Sequence, residues 1–323
     1  MLLLRVRQTG AMGTRRWLAR GLAAVSVVVM LAACTSGPDT KDQGEEPTFP
    51  PTGPCEVASE RGDVVHKVDV GGDEREYLLY APKGLPTDER IPVLYLFHGL
   101  GQEPEEAVAY AGLDEAAAEY GLIIVAPRGT GDPVGWDLDA GLDDPESDLA
   151  FVDAVTTAAV ERHCGDPEQQ YGVGISNGSA LMFKVACEGD APFVAFAGAA
   201  YISYGEECGS APPSSFIYFH GTADAIVPYS GGQTAIGPVA PVADTLQQWI
   251  AHDACGEPTD EVLAKDVQQF EWACPESRIE AYVIDGGGHT WPGAPELPAA
   301  GVTTRSIDAT EEVITFFGLD DRK

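Results

Sequence analysis

The segment Gly174-Ile175-Ser176-Asn177-Gly178 places a hydroxyl between two glycines, each two residues away. Tyr171-Gly172-Val173 before it reads as a strand, and the residues from Ser179 onward read as a helix. A serine on so sharp a strand-to-helix turn stands exposed as a nucleophile, and the glycines clear the neighbouring strand and helix. The helix start adds a positive dipole end for a developing anion. A serine hydroxyl at its ordinary pKa is a weak nucleophile and needs a base.

The chain has six histidines. His66, His163 and His252 lie in polar, charged stretches and read as surface residues. His98 and His220 each end an apolar run before a glycine, which suits a histidine that orders a turn. His289, in Asp285-Gly286-Gly287-Gly288-His289-Thr290-Trp291, follows the last predicted strand, and the glycine run frees the backbone to present its imidazole. His289 is therefore the expected base. Asp224, between serine and histidine in chain order, is the expected acid that orients the ring. Asp285 is its rival but lies too close to His289 along the chain. The oxyanion needs backbone donors, and the N–H groups of Asn177 and of Leu100, in the turn His98-Gly99-Leu100-Gly101-Gln102, are the candidates. Trp136, Tyr229 and Trp291 fall on loops expected to rim the site, where a ring could stack on a substrate. No set of His, Cys, Asp and Glu has metal-ligand spacing, so neither metal nor cofactor is expected.

The elements that must hold these residues alternate strand-like and helix-like, the pattern of an α/β fold with a parallel sheet. Strand-like runs are Val64–Val70, Glu76–Tyr80, Val93–Phe97, Leu122–Ala126, Gln170–Gly174, Val194–Ala199, Phe216–Phe219 and Ile279–Ile284. The first two are expected at an antiparallel edge. Helices are expected over Pro104–Tyr120, Leu149–Arg162, Asn177–Cys187, Val242–Ala251 and Ile307–Phe317. The segment from Ala200 to Ser215 is too short for an inserted lid, so an open site is expected. The long loops are Arg128–Glu146 and Val227–Pro241.

Residues 1–33 carry Arg5, Arg7, Arg15, Arg16 and Arg20, no acid, and an apolar run from Leu22 to Ala33, which reads as a signal peptide. Leu31-Ala32-Ala33-Cys34 is similar to a bacterial lipobox, so Cys34 is the expected lipidation site. Thr14-Arg15-Arg16-Trp17-Leu18 leaves twin-arginine and general secretory export both open, and Met12 is an alternative start. Residues 34–54, rich in Pro, Gly, Thr and acids, read as a flexible tether, and 55–323 as one catalytic domain. Removing the leader lowers Lys plus Arg from 19 to 14 against 51 acids, moving the net charge from −32 to −37. Such a surface repels phosphate backbones and excludes nucleic acid as a partner. The membrane is expected to be touched only through the anchor, on the extracellular face, and a monomer is favoured. Six cysteines remain, an even number that in an exported chain argues for disulfides. Spacing alone does not choose the pairing. The one expected is Cys55–Cys164, Cys187–Cys208 and Cys255–Cys274, the second tying the helix after the nucleophile to a loop beside the site.

Four segments, His98–Gln102 (HGLGQ), Gly174–Glu188 (GISNGSALMFKVACE), His220–Tyr229 (HGTADAIVPY) and Gly286–Gly293 (GGGHTWPG), carry a resemblance. The chain resembles the polyhydroxybutyrate depolymerase and feruloyl/acetylxylan esterase-like family of exported α/β-hydrolases, some of them lipoproteins, over roughly residues 62–318. The resemblance implies the α/β-hydrolase fold: a mostly parallel sheet of about eight strands flanked by helices, without a lid domain. It implies Ser176, Asp224 and His289 as triad, Leu100 and Asn177 as oxyanion donors, and an ester as substrate. The chain departs from the family at Gly178-Ser179, where members often have Gly-Gly, and at Leu100, where they often have cysteine, which weakens transfer of substrate preference. Feruloyl or acetyl esters of polysaccharides and short hydroxyalkanoate polyesters fit an open site. The same triad would serve a cell-wall acyltransferase or, less well, a serine peptidase, and a non-catalytic wall-anchored binding protein is the reading outside enzymology.

Overall fold

The computed structural model describes Cys55 and residues 61–322, apart from 142, 190, 191 and 236. The expected signal peptide and the whole of the expected tether, Cys34 included, lie outside the described residues. The fold is set by the most apolar strand. In β3 (Ile91–Phe97) every side chain is buried. With a side-chain period of two, Ile91, Val93, Tyr95 and Phe97 enter one core and Leu94 and Leu96 the other. A strand that is apolar on both faces must lie inside a sheet covered by helices on both sides.

Around it, β4 (Ile123–Pro127), β5 (Gly165–Ile175), β6 (Ala195–Ala199), β7 (Phe216–Gly221) and β12 (Arg278–Ile284) run parallel to it. β1 (Gly62–Val70) and β2 (Asp73–Ala81) form the antiparallel edge on one side. A hairpin, β10 (Thr259–Ala264) and β11 (Val267–Ala273), adds the antiparallel edge on the other. The order is β1-β2-β4-β3-β5-β6-β7-β12-β11-β10, ten strands where about eight were expected. All eight expected strands are present. The added hairpin escaped because β10 is exposed along nearly its whole length and so carries no apolar period. A further short pair, β8 (Gly232–Thr234) and β9 (Gly237–Val239), stands apart within the long loop after Val227.

The first core packs under α3 (Asp148–Arg162), α4 (Asn177–Glu188) and α5 (Val242–His252), and the second under α1 (Pro104–Ala111), α2 (Leu113–Tyr120) and α6 (Ala309–Phe316). The helix expected over Pro104–Tyr120 is two helices. Gly112 breaks it in a left-handed conformation with φ of 67°, capping one helix and starting the next. Between β6 and β7 the chain makes a single 3₁₀ turn, Glu206–Ser210. The disulfide Cys187–Cys208 ties that turn to the end of α4. Cys55–Cys164 and Cys255–Cys274 are bonded as well. No helix of the described residues is long and apolar enough to cross a membrane.

His163, expected at the surface, is buried at the end of α3. Its ring lies 4.5 Å from that of His66, itself half-buried, and its Nε2 is 2.7 Å from the Tyr77 hydroxyl. The segment is polar in sequence, but β1 and β2 cover it from above. Burial, helped by His66 and Arg162, pushes the His163 pKa down to about 4. The unfolded chain binds a proton near 6.5 that the folded chain refuses until about 4. The stability from neutral His163 is therefore full above 6.5 and lost as pH falls toward 4, about 3 kcal/mol at most. Urea midpoints at pH 7.5 and 4.5 are expected to differ more for the native chain than for His163→Gln; equal differences would refute this.

Candidate active site

Ser176 joins β5 to α4 with φ of 53° and ψ of −116°, a conformation that L-residues rarely hold. The backbone crossing explains why it is held here. A Cβ on Gly174 would strike the Gly178 backbone, and one on Gly178 would strike the Phe97 carbonyl at the end of β3. Two bare glycines let strand, turn and helix touch. The Ser176 N–H donates to the Ala199 carbonyl at 2.8 Å, so β6 fixes the turn from the other side.

His289 follows β12. Its N–H donates to the Ala300 carbonyl at 2.6 Å and that of Gly288 to Val302 at 2.8 Å, so residues 300–302 run alongside the glycine turn. A Cβ on Gly288 would strike the Ala300 carbonyl, which is why the approach needs glycine. Nε2 of His289 lies 2.7 Å from Ser176 Oγ, and Nδ1 lies 2.7 Å from Asp224 Oδ2. Asp224 follows β7, and its carboxylate is fully buried. The N–H groups of Ile226 and Val227 each donate to its Oδ1 at 2.8 Å, replacing the water a buried charge has lost. With the ring proton on Nδ1 directed to Asp224, Nε2 is left to accept the serine proton. Asp285, the rival acid, is exposed and accepts from the Thr222 hydroxyl at 3.2 Å.

The other buried histidines order turns. His98 Nε2 accepts from Gly129 N–H at 3.0 Å, and its Nδ1 lies 2.8 Å from the Gly99 carbonyl. His220 Nε2 lies 2.9 Å from the Val227 carbonyl, and its Nδ1 meets the Tyr218 hydroxyl. Burial lowers the pKa of both. His252 pairs with Asp253 at 2.6 Å.

The turn after β3 is closed by Gly99 N–H donating to Gln102 Oε1 at 2.9 Å and by Gly101 N–H donating to the Val134 carbonyl at 2.7 Å. Among the described residues, the N–H groups of Leu100 and Asn177 have no acceptor. The Asn177 side chain is engaged elsewhere: Trp136 N–H donates to its Oδ1 at 2.7 Å, and its Nδ2 donates to the Trp136 carbonyl at 3.3 Å. The loop thus tied lies so close that a Cβ on Gly135 would crowd Leu100 Cδ1 and Asn177 Oδ1.

Two of the three expected rim aromatics are not on the rim. Trp291 is 1% exposed, packs against Phe219 in the second core, and donates from Nε1 to Thr310 Oγ1 at 3.0 Å. Trp136 is buried edge-on to Phe97 and donates from Nε1 to the His98 carbonyl at 2.8 Å. Each indole has found both an apolar seat and an acceptor, and lifting one out would forfeit roughly 3 kcal/mol of burial. Tyr229 is half-buried, its ring edge-on to that of His220. The sequence reading missed Tyr201, half-buried just beyond β6, whose carbonyl accepts from Ser179 Oγ at 2.7 Å. Its place at the carboxyl end of the strand beside Ser176 was the available signal. Among the described residues, no group of His, Cys, Asp and Glu is arranged to hold a metal ion.

No family model matches the chain. It is 28% identical to "Putative esterase NocK" of Nocardia uniformis subsp. tsuyamanensis, over 91% of this chain and 96% of that protein. It is 24% identical to Feruloyl esterase B of Piromyces equi, over 67% of this chain but only 42% of that protein. An acetyl xylan esterase from Aspergillus awamori superposes with a TM-score of 0.59 over 79% of this chain and 99% of that one, at 14% identity, a likeness of fold.

The turn at Ser176 makes one strong demand on sequence. Gly178→Ala is expected to lower stability by about 3 kcal/mol or more, or to abolish folding, because backbone rather than a flexible side chain must give way. Gly209→Ala, where a Cβ meets open space, is the control and is expected to shift the melting temperature little. Equal melting temperatures for the two variants would contradict the geometry.

Proposed function

We propose that this chain, a carboxylic ester hydrolase related to the feruloyl and acetyl xylan esterases of the α/β-hydrolase fold, works through an acyl-enzyme on Ser176. The observation that carries the reading is the unbroken line from Ser176 Oγ through His289 to Asp224, 2.7 Å at each step. Ser176 Oγ attacks the ester carbonyl carbon as its proton passes to His289 Nε2. The carbonyl oxygen becomes an oxyanion and takes hydrogen bonds from the N–H groups of Leu100 and Asn177, at the positive end of α4. His289 then gives its proton to the departing alcohol. In the second half a water, deprotonated by His289, attacks the acyl carbon, and the acid leaves as Ser176 regains its proton.

Asp224 holds the ring in the tautomer this requires and balances its charge once protonated. Tyr229, and Tyr201 beside the elbow, are the aromatic candidates for contact with substrate. Feruloyl or acetyl esters of polysaccharides and short hydroxyalkanoate polyesters are the proposed substrates. Three disulfides favour an oxidising compartment outside the cytoplasm, in keeping with export and with an anchor at Cys34.

The test is direct. A fluorophosphonate probe is expected to label the full chain on Ser176, to leave Ser176→Ala unlabelled, and to label Asp224→Asn at least about a hundredfold more slowly. Acid release from methyl ferulate or methyl 3-hydroxybutyrate is expected to vanish in the Ser176→Ala protein. A folded native chain inert to the probe would end the nucleophile assignment.

A further inference from the structure

Eight large hydrophobic side chains are exposed among the described residues, and they are not evenly spread. Val65 lies on β1 and Val262 and Leu263 on β10, the outermost strands, and Val194 precedes β6 at the end of the sheet away from Ser176. The other four, Leu100, Ile226, Leu297 and Val302, sit on the turns that carry the candidate site. Three of these belong to the backbone around one pair of residues. Ile226 donates its N–H to Asp224. Val302 accepts from Gly288, the residue before His289. Leu297 accepts from Ala300, whose own carbonyl accepts from His289. They are 48%, 40% and 64% exposed at Ile226, Leu297 and Val302, on a chain that is otherwise densely acidic.

The chemistry gives this side of the site a meaning. The departing oxygen must receive its proton from His289 Nε2, so the alcohol half of an ester lies toward the His289 and Asp224 turns. The carbonyl oxygen lies toward the N–H groups of Leu100 and Asn177. Resting on the ester hydrolase reading above, we propose that Ile226, Leu297 and Val302 form an aliphatic seat for the alcohol half of the substrate. Of the two substrate classes proposed above, such a seat selects the polyesters over the polysaccharide esters: the alcohol half is an alkyl chain or the next unit of an aliphatic polyester rather than a sugar ring. A sugar would have to give up water from its hydroxyls against carbon, whereas an alkyl chain gains by leaving water. The indoles that could have stacked on a sugar face, Trp136 and Trp291, are sealed in the cores.

The test keeps the acyl group constant and changes only the alcohol. Specificity constants are measured on the full chain for ethyl, butyl and hexyl acetate and for a methyl xyloside carrying one acetyl group. The expected result is a steady rise from ethyl to hexyl acetate, with hexyl acetate at least about tenfold above the xyloside. The hexyl-to-ethyl ratio is expected to fall at least about threefold in Val302→Ser and in Ile226→Ser. A general loss of activity or of folded protein scales both esters alike and leaves the ratio intact. A xyloside cleaved as well as hexyl acetate, or a ratio unchanged in both variants, would overturn the aliphatic seat while leaving the hydrolase standing. Acetate release no higher than that of Ser176→Ala on all four esters would overturn the hydrolase reading and this proposal with it.

Discussion

Everything at the candidate site depends on one close backbone crossing. Gly178 lies against the Phe97 carbonyl and Gly174 against Gly178, so the ends of β3 and β5 and the start of α4 meet with no side chain between them. That contact holds Ser176 in a conformation costing on the order of 1–3 kcal/mol. The cost is borne because β3 and the second half of β5, from Gln170 to Ile175, are buried on both faces and cannot move independently of the two cores. Relaxing the turn would drag Phe97 and Val173 from their seats. Rigidity at the serine is thus a property of the sheet and is only expressed at the turn.

The same coupling extends outward through polar groups. Asn177 binds the backbone of Trp136, Trp136 binds the His98 carbonyl, and His98 accepts from Gly129. The loop beside the N–H groups of Leu100 and Asn177 is therefore tied to the turn and helix that carry them, and Gly101 N–H donating to the Val134 carbonyl adds a further tie. On the other side, the hairpin β10–β11 has a use its exposed edge does not suggest. Asp266, at its turn, accepts from Thr304 Oγ1 and Ser306 Oγ, each at 2.6 Å. These follow directly on residues 300–302, which pair with the turn bearing His289. Hydrogen bonds to both of these hydroxyls hold the Asp266 carboxyl below the usual carboxylate range, so the clamp stays ionised.

What was legible in the sequence follows from how local each signal is. The strand-to-helix turn at Ser176 could be read because the glycines, the strand and the helix that define it lie within one short segment. The meeting of His289 and Asp224 beside Ser176 could be read because each follows an apolar strand and the order of the three along the chain is restrictive. The parallel strands carry their burial in unbroken apolar runs. β10 does not, since an exposed edge strand has no buried face to leave a period. His163 was misplaced because its polar neighbours say nothing of β1 and β2, which fold over it from far away in sequence. Trp136 and Trp291 were misplaced for a related reason: loop position suggested exposure, but each side chain's fate was decided by a partner elsewhere, the Phe97 ring and the His98 carbonyl for one and Thr310 for the other.

Two histidines approach the buried Asp224 carboxylate, and the geometry separates their roles. His289 Nδ1 lies 2.7 Å from Oδ2, and His220 Nε2 lies 3.4 Å from the same oxygen. His220 has no proton to share there. Its Nε2–H is directed to the Val227 carbonyl, and its Nδ1 faces the Tyr218 hydroxyl. Burial keeps it neutral, so it adds no charge that would draw the carboxylate away from His289. It braces the loop that presents the Val227 N–H to Asp224 Oδ1. A buried carboxylate with two backbone donors on one oxygen has its other oxygen free for a single strong acceptor role. Among the described residues His289 is the histidine that also reaches Ser176, and it fills that role. Asp224 is thereby committed to His289 before any substrate arrives, and on the proposed acyl-enzyme reading that is the preorganisation that catalysis by a neutral serine requires.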